Sequence, residues 1–409
     1  MKILYVCHRF PFPPKRGGKI RPFNMIKHLS RKHEVDVASL ARSEAEAEEG
    51  QGLAAYCNSY EMEIIEPSIQ ALRMVARLPT STPSSMGFFY SGRLAHKINE
   101  VLRAHRYDLI FVHCSSVAQY VSGVRGIPKV LDFGDMDSQK WLDYGRFKPF
   151  PFSLGYRLEG IKLMREEKRL AARFDLCTTT TRAELETLNS YQCGVDTDWF
   201  PNGVDGEYFS PSAEPYDPST ISFVGRMDYY PNQECMFDFC AKVLPLLQQR
   251  RSQIKLKIIG ADPSPAVCRL GELPGVAVTG SVPDVRPHVR GSALMVAPLN
   301  IARGTQNKIL EAMAMGVPVV TSRLGADGVD AVAGEHLLVA GSHAEYAETI
   351  LRILDHLPER QRLAHAGRQR MLTHHNWESS MCKLDTILDR CIRKRALEIP
   401  IRNAVNTSH

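Results

Sequence analysis

Short apolar runs alternate with amphipathic stretches along almost the whole chain, and this alternation restricts the fold more than any other feature. In the first half, KILYVCH, VDVASLA, MEIIEP, DLIFVH, KVLDF and DLCTTT read as strands. Between them PFNMIKHLSRKH, GRLAHKINEVLRAHR, SSVAQYVSGV and RLEGIKLMREEKRLAARF read as helices. Strands apolar on both faces and separated by helices give a parallel sheet covered on both sides. A stretch rich in Pro, Gly and Ser, Pro201 to Thr220, reads as a linker. A second alternating set follows: ISFVGRM, KLKIIGA, VAVTGS, ALMVAPL and VPVVTS, with QECMFDFCAKVLPLLQQ among its helices. The last polar-rich stretch, from Ser342 to about Leu397, is long and helical. The expectation is an α/β chain of two Rossmann-like domains with parallel doubly wound sheets facing a cleft. The boundaries fall at 1–205 and 206–375, with a helix at about 376–400 returning to the first domain. A length of 409 residues exceeds what one core usually serves.

Other classes are disfavoured. No GxGxxG follows a strand, which argues against a dinucleotide-dependent dehydrogenase. Ten cysteines lie without CxxC spacing and fourteen histidines without HExxH, so reduced thiols and no metal site are expected. No apolar run approaches the roughly 20 residues that span a bilayer. The start, MKILYVCHRFPFPP, is too polar after its short apolar part for a signal peptide. A cytoplasmic protein is expected. The net charge of +6 is unevenly placed: Lys2, Arg9, Lys15, Arg16, Lys19, Arg21, Lys27, Arg31 and Lys32 precede the first acid, Glu34. Such a patch suits a diphosphate or an acidic lipid headgroup, and the plain alternative is a solvated basic face. No nucleic-acid motif accompanies it.

Within Leu299 to Gly328 a polar turn leads into a short helix and then a buried strand. Thr305 is placed to cap the helix, with Gly316 and Pro318 ending it. Asn307, Lys308 and Glu311 share one helical face. A lysine in the first turn opposes the helix dipole unless an anion sits there. A carboxylate one turn on can accept two hydrogen bonds from a ribose diol. The competing reading is an i,i+3 surface ion pair.

The chain resembles a family 4 glycosyltransferase of the GT-B fold. The resemblance rests on RGG after the first strand, DLIFVH, PNGVD, FVGRM, IIGADP, GSVPD, NKILEAMAMGVPVV and NWESSM. LDFGDMDSQKW and GRMDYYPNQ resemble more narrowly the exopolysaccharide transferases associated with PEP-CTERM/exosortase gene systems. The resemblance implies an acceptor-side first domain and a nucleotide-sugar-binding second domain. It also implies retaining transfer without a metal, the donor's own phosphate taking the acceptor proton.

It further implies roles for individual residues. Arg226, after ISFVG, and Lys308 would neutralise the leaving diphosphate; the plain alternative for Arg226 is a surface ion pair. Glu311 matches the second glutamate of the family's E-x7-E motif, whereas the first falls on Arg303. Many members carry Lys-Gly where this chain has Pro231-Asn232, and Lys308 is read as the substitute cation. Gly304, Thr305, Gln306, Asn307 and Val282 join the donor-binding set. Gly17 and Gly18, read as loop residues, would let the backbone approach phosphate. His113 falls on the histidine that reaches the donor sugar and is read as catalytic with Arg226 and Lys308. Asp135, Asp137 and Lys19 are placed on the acceptor side. Asp135-Met136-Asp137 and Asp196-Thr197-Asp198 are both DxD; the first is read as orienting an acceptor hydroxyl or capping a helix at Ser138. Asn202 and Gly203 are read as a tight turn opening the linker.

The reading is a retaining glycosyltransferase acting in exopolysaccharide assembly. Its acceptor would be a glycan or a sugar on a polyprenyl diphosphate, with peripheral contact at an anionic membrane. A nucleotide-sugar epimerase of the same fold and a non-catalytic sugar-nucleotide-binding subunit are the alternatives.

Overall fold

The computed structural model describes the backbone of residues 1–15 and 17–406 and side chains through Lys394; Arg16 of the basic N-terminal set lies outside the described residues. The chain divides into two compact units. One comprises Met1–Phe200 together with the chain from Met381 on, and the other Pro201–Ser380.

The first unit holds a seven-stranded sheet. Its strands are β1 (Lys2–Cys7), β2 (Glu34–Ala41), β3 (Ser59–Ile64), β4 (Leu109–His113), β5 (Lys129–Gly134), β6 (Leu176–Thr179) and β7 (Asp196–Trp199). The order is β3-β2-β1-β4-β5-β6-β7, and every pairing is parallel. β1, β4 and β5 are buried almost throughout, so they read as continuous apolar runs. The order reverses between β1 and β4, where Cys7 pairs with His113. Ligands of such sheets bind beyond the strand ends at that point.

The second unit repeats the plan with six strands: β8 (Asp217–Val224), β9 (Lys255–Ile259), β10 (Val276–Val278), β11 (Ser292–Ala297), β12 (Val319–Thr321) and β13 (Leu338–Val339). The order β10-β9-β8-β11-β12-β13 is again parallel and reverses between β8 and β11. Gly225-Arg226 follows β8 there. Gly260, after β9, lies so close that a Cβ on it would stand 1.8 Å from the Gly225 carbonyl oxygen. Backbone cannot yield as a flexible side chain can. Gly260→Ala should therefore destabilise this unit by at least the roughly 1–3 kcal/mol typical of overpacking. Urea unfolding checks it; an unchanged midpoint would mean the loop shifts freely.

Several elements differ from the sequence expectation. The linker is shorter, because Asp217 opens β8 by accepting from Ser219 N and Thr220 Oγ1 and pairing with Lys255. β7 and β13 escaped notice as short edge strands. In β7 the DxD carboxylates pair with Arg390 and Lys383 of the last helix, a structural use. SSVAQYVSGV gives one helical turn, Ser115–Ala118. The C-terminal stretch is helical as expected, in three pieces, His343–Asp355, Leu357–His374 and Trp377–Asn406, the first opened by a Ser342–Glu345 capping box. Among the described residues no helix is long and apolar enough to cross a membrane, and all ten cysteines are free.

Candidate functional site

In the second unit a polar group gathers around the end of β8 and the helix Asn307–Ala314. The helix starts where the polar turn ends and runs apolar on one side, burying Ile309, Leu310, Ala312 and Met313. Gly316, at φ +70°, closes it. Thr305 does not cap it. Gln306 precedes the first turn without a side-chain cap, and the Thr305 hydroxyl oxygen is buried with no partner. Ile309 N donates to the Gln306 carbonyl at 2.9 Å, which leaves the Asn307 and Lys308 amides for another acceptor.

Lys308 and Glu311 do not form the surface pair. The Lys308 ammonium donates to Asn232 Oδ1 at 2.6 Å and lies 4.4 Å from the centre of the Phe223 ring. Asn232 is itself buried and donates from Nδ2 to the Arg226 carbonyl at 2.8 Å. The asparagine that stands in the family's Lys-Gly position thus fixes Lys308 beside the end of β8. Burial lowers the Lys308 pKa to about 8 against the raising influence of Cys235 and Glu311. The Glu311 carboxylate makes no hydrogen bond or ion pair with the described residues. Burial lifts its pKa to about 7, with Lys308 opposing. A half-buried carboxylate, a confined ammonium and a buried hydroxyl without a partner on one short segment are costly unless a ligand answers them.

Arg226 differs from the expectation. Its Nε and Nη2 bind Asp228 at 3.0 and 2.7 Å, and Nη2 also binds Asp262 at 2.6 Å. The ion-pair reading describes it: two carboxylates already answer this guanidinium, so Lys308 is the cation less fully paired. Gly304, at φ +60°, turns the preceding loop, and Gln306 donates to the carbonyls of Arg303 and Gly304. Asn307 Oδ1 accepts from Asn202 at 3.2 Å. Asn202 is more than a turn residue, since its carbonyl also meets His375 Nδ1 at 3.1 Å. Val282 lies beyond β10, two strands from β8, half-buried against the core.

In the first unit His113 ends β4 and is buried. Its Nδ1 is 2.7 Å from Asp132 Oδ2. Asp132, on β5, is fully buried and also accepts from Arg21 Nε and Nη2 at 2.9 and 3.0 Å and from Thr178 at 2.9 Å. Burial alone would raise its pKa, but Arg21 and His113 hold it far below the usual carboxylate range. An ionised Asp132 accepts a hydrogen bond from Nδ1–H and so fixes the orientation of the ring. The His8 ring stands 5.7 Å from His113, its pKa depressed by burial.

The other first-unit assignments change. Gly17 and Gly18 open the helix Gly17–Leu29 instead of lying in a loop. Lys19 is buried in an ion pair with Glu46 at 2.6 Å, so its ammonium is not offered to an acceptor. With Arg21 also buried, the N-terminal cations are not one exposed face. Ser138 does not cap the following helix; its N and Oγ donate to buried Glu167, and Asp137 is already in the first turn. Asp135 accepts from Thr180 Oγ1 at 3.0 Å, and burial raises its pKa. Asp137 lies 3.9 Å from the Cys114 thiol. Among the described residues no cluster of three His, Cys, Asp or Glu could hold a metal.

Sequence reasoning missed Arg21, Asp132, His8 and Asn232. A signal existed for one: Asp132 is a lone acid inside KVLDF, and a charge in a buried strand requires a partner.

Residues 16–208 match the model described as Glycosyltransferase Family 4, and residues 218–356 the model described as Glycosyl transferases group 1. The chain belongs to glycosyltransferase family 4. The D-inositol 3-phosphate glycosyltransferase of Thermobifida fusca (strain YX) is 23% identical over 329 residues, 72% of each chain. Among solved structures, sucrose-phosphate synthase from Thermosynechococcus elongatus aligns with a TM-score of 0.72 at 15% identity, covering 96% of this family 4 chain and 100% of its own. HepE of Anabaena in complex with UDP-glucose aligns with a TM-score of 0.67 at 17% identity, covering 95% and 100%. These likenesses establish the GT-B architecture of this family 4 transferase.

Proposed function

We propose that this glycosyltransferase moves a sugar, with retention of configuration, from a nucleoside-diphosphate donor to a glycan or lipid-linked acceptor in exopolysaccharide assembly. The observation that carries the reading is the Thr305–Lys308–Glu311 group: the Thr305 hydroxyl and the Glu311 carboxylate have no hydrogen-bond partner among the described residues, and Lys308, held by Asn232, lies on the same short segment, a set that suits a sugar-nucleotide. Glu311 accepts the ribose hydroxyls. Lys308 and the first-turn amides of its helix take the charge that grows on the leaving diphosphate. As the glycosidic bond to phosphate breaks, the acceptor hydroxyl attacks from the same face and its proton passes to the departing phosphate oxygen. His113, with Nδ1 held by Asp132, contacts the donor sugar. The cationic work falls to Lys308, and no metal is required. The uridine nucleotides of the HepE complexes make UDP-sugars the first donors to try. The narrower likeness to PEP-CTERM-associated transferases supports a polyprenyl-diphosphate-linked acceptor.

A thermal-shift screen of UDP-, GDP- and ADP-sugars should find one that stabilises the protein by about 2.7 kcal/mol at 100 times its Kd. That donor, mixed with a polyprenyl-diphosphate-linked sugar, should release nucleotide equally with and without EDTA, and NMR of the product should show the donor's anomeric configuration. Activity lost to chelation and restored by Mn²⁺ overturns the metal-free step. Turnover of donor without acceptor to an epimeric sugar favours an epimerase. An inverted product overturns retention.

A further inference from the structure

The helix Pro67–Arg77 is built inside out. Its inward residues are Gln70, Arg73, Met74 and Arg77, with Gln70 buried. Arg73 binds the Gln70 side chain and the Tyr90 carbonyl, and the Arg77 guanidinium lies over the Tyr90 ring. The outward residues are apolar: Ile69, Leu72 and Val75, followed by Leu78, with Leu72 70% exposed. A surface helix ordinarily buries its apolar stripe and solvates its polar one. Here polar contacts hold the helix to the unit and leave the apolar stripe in water.

A second apolar surface adjoins it. Helix Phe152–Ala171 and the turn before it expose Phe150 (82%), Phe152 (66%), Leu154 and Leu158. The two surfaces are tied together, since Lys162 donates to the carbonyls of Leu78 at 2.8 Å and Arg77 at 3.3 Å. The charge pattern is one-sided. From Pro67 to Leu78 there is no acid. From Tyr144 to Arg165 the sole acid is Glu159, which is buried and accepts from Ser84 and Ser85. Arg157 and Arg165 are exposed on the same helix. Exposed aromatic and aliphatic side chains with cations beside them, and with the exposed acid Glu66 confined to the start of the first helix, match the boundary between acyl chains and anionic headgroups.

We propose that the stripe of helix Pro67–Arg77 and the Phe150–Leu158 turn together dock this chain on an anionic lipid bilayer. The surface is distinct from the basic N-terminus, whose Lys19 and Arg21 are turned inward. Phenylalanines enter the acyl boundary while Arg157 and Arg165 meet phosphate headgroups.

Vesicle co-sedimentation of the full chain tests it, using vesicles of equal parts phosphatidylglycerol and phosphatidylcholine against phosphatidylcholine alone. The wild type should sediment with the first and far less with the second, and salt should weaken binding. Phe150→Ser with Phe152→Ser should reduce partitioning by roughly tenfold or more per phenylalanine, from the transfer energy of a buried ring. Leu72→Ser with Val75→Ser should reduce it as well, whereas Lys15→Ala with Lys27→Ala should not. Circular dichroism verifies folding of each variant. Unchanged vesicle binding in both serine variants overturns the proposal. So does a wild-type dimer in light scattering that the same substitutions dissolve, since a second copy would then be the cover. The assay contains no sugar donor, so its failure leaves the transfer reading standing, and failure of transfer leaves the docking result intact.

Discussion

Replacing Arg21 by methionine should destabilise the first unit by about 3–5 kcal/mol, the cost of leaving a buried charge without its partner. The residue is 2% exposed and forks onto an Asp132 that is fully buried. Its Nη1 donates to the Phe200 carbonyl at 3.0 Å, and its guanidinium stacks 3.7 Å from the Phe200 ring. Methionine keeps much of the volume and removes the charge and the donors. His113 and Thr178 remain on Asp132, but neither supplies a permanent positive charge. The pH dependence has a definite sign. Asp132 is held well below its unfolded pKa of about 4, so its contribution is present above that value and lost as pH falls toward the folded one. In the variant the carboxyl should rise, and acid should relieve the stranded charge. The deficit is therefore full at neutral pH and shrinks as pH drops. Urea unfolding followed by tryptophan fluorescence reports it, since Trp141 and Trp199 lie in this unit. Combining Arg21→Met with Asp132→Leu should recover much of the loss, because the pair acts as one. An unchanged midpoint in the single variant would show that the ion pair contributes nothing.

The same triad shows where sequence reading stops. The parallel sheets were legible because strands such as Leu109–His113 and Ser292–Ala297 are buried on both faces and announce themselves as unbroken apolar runs. Asp196–Trp199 did not, because an edge strand tied down by ion pairs has a polar sequence. At the site, Lys308 and Glu311 were legible because three residues apart on a helix is a fixed geometry. What they do not do could not be read: spacing predicts a pair, and only the fold turns Lys308 toward Asn232, 76 positions away. Arg21 and Asp132 are 111 positions apart, and no local pattern links them. The N-terminal cations illustrate the converse error. A run of basic residues says nothing of which face each occupies, and along helix Gly17–Leu29 some of that charge turns into the unit. The inside-out helix was missed for the same reason, since its periodicity is strong but its inward face is the polar one.

Lys308→Met should reduce turnover by roughly 10²–10³-fold, the range for losing one preorganised group on a developing negative charge. Nucleoside monophosphate binding should change far less, because Glu311 and the first-turn amides remain. Methionine can occupy the space over the Phe223 ring, so the fold should persist. The pH profile of nucleoside-diphosphate affinity separates this role from a packing role. Burial places Lys308 at about 8 and Glu311 at about 7. Above about 8 the ammonium loses its proton and the diphosphate loses a counter-charge, so affinity falls on the alkaline side. Below about 7 the carboxylate takes a proton and becomes a poorer acceptor for ribose hydroxyls, so affinity falls on the acid side. The optimum lies between the two, and on the acid side the ligand's own terminal phosphate also takes a proton. Calorimetric titration across pH should show the alkaline limb disappearing in Lys308→Met while the acid limb stays, and the acid limb becoming shallower in Glu311→Gln while the alkaline limb stays. A variant that weakens binding equally at every pH would make Lys308 a packing residue, and the diphosphate assignment would pass to Arg226 once it is released from Asp228 and Asp262.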